Sequence, residues 1–153
     1  MLILAFESSA KAASVALLQD GVLLAESFQN NGKTHSATLM PMAQQVLRDC
    51  GVTPADLTAV AVAKGPGSFT GVRIGVSAAK GLAWGADKPV CGVSTLAAMA
   101  TQMTMMRGII CPVMDARRSQ VYNALFASDG KKLTRLTEDR AISLEDLKKD
   151  LET

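Results

Sequence analysis

Two short segments hold the residue types that can do chemistry. In the first, Glu7 closes an apolar run and Ser8 and Ser9 follow it. A carboxylate and two small hydroxyls set at a turn can hold a ligand, or can hydrogen-bond the turn itself. The second is Gly65-Pro66-Gly67-Ser68-Phe69-Thr70-Gly71-Val72-Arg73-Ile74-Gly75. Glycines let the chain turn sharply and let another group approach the backbone, and a helix starting there turns unpaired N–H groups and a partial positive charge toward an anion. A phosphate held by Gly65, Gly67, Ser68, Gly71 and Arg73 is one reading and a structural tight turn is the other. The order is neither that of a P-loop nor that of a dinucleotide fingerprint.

Other chemistries lack their parts. His35 is the one imidazole in the chain, and a metal-dependent transferase needs clustered ligands; His35 is expected to orient a helix start or to lie at an interface. Ser8, Ser9, Ser14 and Ser36 share that single candidate base and no nucleophile elbow surrounds them, which disfavours a peptidase. Cys50, Cys91 and Cys111 are widely spaced and odd in number, and read as buried reduced thiols rather than as a disulfide or zinc framework.

The elements that must position these groups follow from periodicity. Leu2 to Phe6, Ser14 to Leu18 and Val22 to Phe28 are apolar runs, the last two joined by Asp20-Gly21, and predict a three-stranded meander. Leu39, Met42, Ala43, Val46 and Leu47 recur at helical spacing between Ser36 and Cys50, with Gly51 as the stop. Pro41 requires that this helix start late, near Thr38. Thr53 to Asp56 is a capped turn, Leu57 to Ala63 a buried strand, Val72 to Trp84 a second helix, Pro89 to Val93 a strand, and Ser94 caps a third helix through Met103. Three meander strands followed by alternating helices and strands is an α/β order with parallel crossovers: a ribonuclease H-like lobe with a mixed five-stranded sheet over residues 1–104. Residues 105–153 begin the pattern again, with Ile109 to Met114, Val121 to Ala127 and Lys131 to Leu136 as strands and Ser143 with Asp146 opening a helix from Leu144. That repeat is incomplete, as in a piece of a longer chain.

The chain of 153 residues is 48% hydrophobic and 20% charged, enough to bury a core. Its formal charge of +2 arises from 16 basic and 14 acidic residues without a basic run, so any nucleic-acid contact is weak or shared. The opening Met1 to Phe6 runs straight into Glu7 with no basic region before it, and no apolar run reaches the roughly 18 residues of a spanning helix. A cytoplasmic protein with no membrane contact is expected. Gly75, Ala78, Ala79 and Leu82 on the second helix, with Leu39, Met42 and Val46 on the first, offer small and apolar faces to a partner helix or to the chain's own sheet. Met99, Met103, Met105 and Met106 suggest adaptable packing at a hinge.

The string from Gly65 to Gly75, continued by Ala79-Lys80-Gly81-Leu82-Ala83, is very similar to the signature of the TsaB (YeaZ) family, of the Kae1/TsaD-like branch of the actin-like ATPase superfamily. Ile3 to Ser9 resembles that family's opening strand and turn, with Glu7 where an Asp is more usual. His35-Ser36 with Leu39-Met40-Pro41, Gly92 to Leu96, and Asp115-Ala116-Arg117 with Val121-Tyr122 agree as well. In the superfamily the first hairpin faces nucleotide phosphates, which would add Glu7 and Ser8 to the phosphate site. The resemblance implies a non-catalytic scaffold and activator in tRNA threonylcarbamoyladenosine synthesis, the modification beside the anticodon. Its partners would be the metal-holding transferase TsaD, through the two helices, and the ATPase TsaE, with a homodimer formed in isolation and tRNA met only through the complex. It implies no cofactor or metal of the chain's own, ATP or ADP being expected only at the junction with TsaD. An autonomous actin-like ATPase or kinase is the alternative reading, and would need an acidic magnesium pair such as Glu7 with Asp115 and a closing second lobe.

Overall fold

A computed structural model describes residues 1–152; Thr153, the last position of the expected second lobe, lies outside the described residues. The chain divides into two compact units, Met1–Val93 and Ser94 onward.

In the first unit β1 (Leu2–Glu7), β2 (Ala13–Gln19) and β3 (Val22–Gln29) form the expected meander, followed by α1 (His35–Asp49), a single 3-10 turn (Pro54–Asp56), β4 (Ala59–Ala63), α2 (Phe69–Gly85) and β5 (Val90–Val93). The sheet order is β3-β2-β1-β4-β5, with β1 antiparallel to β2 and parallel to β4, and β4 parallel to β5. This is the ribonuclease H-like lobe of the actin-like fold. Alternation puts Leu4, Phe6, Val15, Leu17, Val60 and Val62 on one face of the sheet, where they are buried with Leu39, Met42, Ala43, Val46 and Leu47 of α1 and Ala79 and Ala83 of α2. Each such Leu, Val or Phe contributes about 1.5–3 kcal/mol by leaving water.

Two turns in this unit follow the sequence closely. Asp20 and Gly21 both take positive φ, 51° and 82°, between the paired Gln19 and Val22; Asp-Gly is the residue pair that a two-residue hairpin with twin left-handed positions favours. Gly51, at φ 63°, lets the Val52 N–H reach the Leu47 carbonyl at 2.9 Å and closes α1, as a C-terminal glycine does.

Pro41 does not delay the start of α1: the helix begins at His35 and carries Pro41 inside it. Pro41 and Ala37, the residue whose carbonyl loses its usual donor, are both exposed, so water can satisfy that oxygen. Burial of the opposite face outweighs the lost bond. Cys91 corrects the expectation of buried thiols. It is exposed on the edge strand β5, whereas Cys50 and Cys111 are half-buried.

In the second unit α3 (Thr95–Thr101), capped by Ser94, precedes β6 (Arg107–Ile110), β7 (Val113–Arg117), β8 (Gln120–Asn123), β9 (Phe126–Asp129), β10 (Leu133–Arg135), β11 (Arg140–Ser143) and α4 (Leu144–Glu152). The sequence order had grouped α3 with the first lobe. The runs Ile109–Met114 and Val121–Ala127, read as single strands, are each broken in two. Their halves pair in separate three-stranded sheets, β10-β9-β6 and β11-β8-β7. Pro112 cannot donate to a ladder and ends the first run. At the second break Asn123, fully buried, turns its side-chain N–H groups to the Cys111 sulfur at 3.0 Å and to the carbonyls of Pro112 and Ala124 at 3.3 Å, while its oxygen accepts from Nε and Nη2 of Arg140. One amide thus clasps both breaks. Burial pushes the Cys111 thiol up, against the smaller opposing effect of the Asn123 donor. The Ser143–Asp146 cap forms as expected, each residue bonding the other at the start of α4. Among the described residues no helix is long and apolar enough to cross a membrane.

Asn123→Ala leaves two carbonyls and the Arg140 guanidinium short of partners, and should destabilise the second unit by about 2–3 kcal/mol in urea melts, given what an orphaned buried polar group costs.

Candidate functional site

The parallel pairing of β1 with β4 sets Phe6 opposite Val62, so the turn after β1 and the loop after β4 emerge side by side at the same end of the sheet. In open α/β sheets ligands collect at such strand ends. Here the two chemistry-bearing segments meet each other. The Ser68 N–H donates to the Ser9 carbonyl at 2.6 Å, and the Ser8 hydroxyl donates to the Gly71 carbonyl at 2.9 Å. Ser8 and Ser9 are buried, Ser8 being only 1% exposed. A Cβ on Gly71 would stand 2.1 Å from the Ser8 carbonyl oxygen, and one on Gly75 2.2 Å from the Ser8 hydroxyl. Gly67 is approached in the same way by the Ser9 carbonyl. The group that these glycines admit is the chain's own first turn.

Several neighbouring donors and acceptors are engaged locally. The Ser68 hydroxyl accepts from the Gly71 N–H at 3.2 Å and caps α2. A Glu7 carboxylate oxygen accepts from the Ser9 N–H two residues on, the hydrogen-bonded-turn reading of that residue. His35 Nε2 donates to the Ala10 carbonyl at 2.9 Å and ties the start of α1 to the same turn, so it orients a helix start. Among the described residues no group of three His, Cys, Asp or Glu is placed to hold a metal ion.

The sequence matches the family model of TsaD, tRNA N6-adenosine threonylcarbamoyltransferase, over residues 23–151. It is 42% identical over 146 residues to the tRNA threonylcarbamoyladenosine biosynthesis protein TsaB of Bacillus subtilis, covering 95% of this chain and 64% of that protein. The corresponding Escherichia coli protein is 42% identical over 131 residues, 84% of this chain and 56% of its own length. YeaZ from Pseudomonas aeruginosa superposes with a TM-score of 0.83 at 31% identity, covering 92% of this chain and 67% of that one. The chain belongs to the TsaB (YeaZ) family. It spans 64% and 56% of the two curated relatives.

The TsaB-type signature thereby acquires a steric meaning. Of the expected phosphate residues, the fold brings Glu7, Ser8, Gly65, Gly67, Ser68 and Gly71 together, but as a joint in which the space above Gly71 and Gly75 is filled by Ser8. Arg73 stands apart on the outer side of α2, its guanidinium carbon 3.8 Å from the centre of the Phe69 ring. It lines a shallow cavity of about 500 Å³ with Ser36, Phe69, Thr70, Ile74 and Ser77. Apart from Arg73 and Ser36, sequence reasoning passed over these residues; the i, i+4 series Phe69, Arg73, Ser77 marks their common face. The expected helix-packing residues Leu39, Met42, Val46, Gly75 and Ala79 are all buried within the first unit, and Ala78 and Leu82 are half-buried. Their small or apolar character serves the chain's own packing, and the half-buried Ala78 and Leu82 keep part of their surface outside it.

Because Gly71 faces a backbone carbonyl and Gly75 a rotatable hydroxyl, Gly71→Ala should destabilise the first unit by about 3 kcal/mol and Gly75→Ala by about half as much. Ser8→Ala combined with Gly75→Ala should be less destabilised than the sum of the two single changes, and thermal melts of the four proteins in this cycle measure the coupling.

Proposed function

We propose that the chain is a non-catalytic, activating partner in tRNA threonylcarbamoyladenosine biosynthesis, pairing with a TsaD-type transferase through the outer face of α1 and α2. What carries this reading is the contrast between the two sides of α2. On the inner side Gly67, Gly71 and Gly75 are closely approached by Ser8 and Ser9. The outer side leaves Phe69 70% exposed and Trp84 89% exposed, with Arg73 and the cavity beside Phe69. Exposed aromatic residues with an arginine are the types that dominate binding at protein interfaces. The names of the TsaB relatives, and the family model with its transferase description, agree with such a role.

On this reading the paralogous transferase supplies the metal and the chemistry, TsaE joins the pair, and the chain alone forms a homodimer by the same face. ATP or ADP at the junction would be met from this side by Arg73 rather than by the buried serines. The complex would work in the cytoplasm.

Size-exclusion chromatography with light scattering tests the pairing, on the chain alone and mixed with TsaD from the same organism, with and without ATP. A stoichiometric complex is expected, weakened at least 30-fold by Phe69→Asp, about the 2 kcal/mol loss of a hot-spot residue, while the melting temperature holds because Phe69 is exposed. A chain that ignores TsaD and hydrolyses ATP by itself would establish the autonomous ATPase instead.

A further inference from the structure

We propose that the tip of the β7–β8 hairpin presents Arg117 and Arg118 to the phosphate backbone of RNA. The hairpin is built against its own backbone preference. Arg117 pairs with Gln120, so Arg118 and Ser119 form a two-residue connection, and Arg117, Arg118 and Ser119 all take left-handed φ, 64°, 52° and 59°. A connection with two left-handed residues calls for Asn-Gly or Asp-Gly, and this chain uses Asp20-Gly21 for the comparable turn between β2 and β3. At the β7–β8 tip it places an arginine and a serine where L side chains are strained.

The mount is also fixed from below. The register shifts between Asp115 and Arg117, and the Asp115 carboxylate accepts the Arg117 N–H at 2.7 Å, an Asx-type turn that holds the tip. Strain that the surroundings maintain collects at functional positions. Both side chains are exposed, and among the described residues neither guanidinium has a hydrogen bond, ion pair or ring contact. Elsewhere in the same unit Arg135 pairs with Asp139 and Arg140 with Asp150. Two adjacent uncommitted guanidinium forks on one hairpin tip match phosphate oxygens. A chain with only +2 net charge would make such a contact as one part of a shared RNA surface. The choice of RNA over another polyanion rests on the proposed role in tRNA modification; the strained mount and its free arginines do not.

Anisotropy titrations of a labelled, unmodified tRNA transcript at several salt concentrations test this, with the chain alone and with TsaD added. Arg117→Ala with Arg118→Ala should weaken binding about tenfold at low salt and flatten the slope of log affinity against log salt by about 1.5, the release expected for two phosphate contacts. Arg118→Asn with Ser119→Gly is the discriminating variant: it relieves the turn, so the melting temperature should rise by a few degrees while the salt slope falls by nearly 1. Unchanged RNA affinity in both variants, or no measurable RNA binding by the chain or the mixture, overturns the inference. So does loss of TsaD binding with RNA affinity intact, which would make the tip a contact for an acidic protein surface. If TsaD fails to pair at all, the partner reading falls while the titrations on the chain alone still decide this one.

Discussion

The Ser8 carbonyl lies where a Cβ on Gly71 would have to be, and much of the first unit depends on that approach. It presses the turn after β1 against the first turns of α2, so that the helix lies down on β1 and β4 through Gly71, Gly75, Ala79 and Ala83. A larger residue anywhere on this stripe would lift α2 from Val60, Val62, Leu4 and Phe6, the centre of the core. The hydrogen bonds follow from the same geometry. Once the turn is in contact, the Ser68 N–H finds the Ser9 carbonyl and the Ser8 hydroxyl finds Gly71, so buried polar groups that would otherwise be orphaned satisfy one another. The segment forms a joint between a strand and a helix.

Most of the first unit was legible in the sequence, because its signals are local and strong. Period-2 runs, a helical stripe on α1, Asp20-Gly21 and Gly51 each describe one backbone event, and each occurs within a residue or two of its expected place. Pro41 misled because its effect depends on which side of the helix faces water. The Gly65–Gly75 segment was found as special but left with two readings, because glycine is required both where a ligand approaches and where another segment of chain does. The positions of Ser8 and Ser9 show the second use at Gly67, Gly71 and Gly75. Leu39, Met42, Val46, Gly75 and Ala79 are buried within the first unit, and in sequence such a stripe looks the same whether it meets a partner or its own sheet. Phe69 and Trp84, the exposed aromatics of α2, are the residues that tell the two sides apart.

In the second unit the antiparallel order and the Ser143–Asp146 cap were readable, and the strand breaks at Pro112 and Asn123 were not. A change of sheet within an apolar run leaves its mark in long-range bonds, here those of Asn123 to Cys111, Pro112 and Arg140, rather than in hydropathy. The β7–β8 tip shows the opposite relation between sequence and structure. Arg118-Ser119 is a poor local choice for its backbone, and such disagreement between levels is expected where a side chain is retained for what it contacts.

Together these features describe a chain whose glycine-rich signature packs its own first turn against α2. Amide hydrogen exchange at Ser68 and Gly71, with and without ATP, tests the central point most directly. The account predicts that both amides are strongly protected in the free chain, through Ser9 and the Ser68 cap, and that ATP leaves their exchange unchanged. Rapid exchange in the free chain that slows when ATP is added would mean that the segment opens to hold phosphate, and would contradict it.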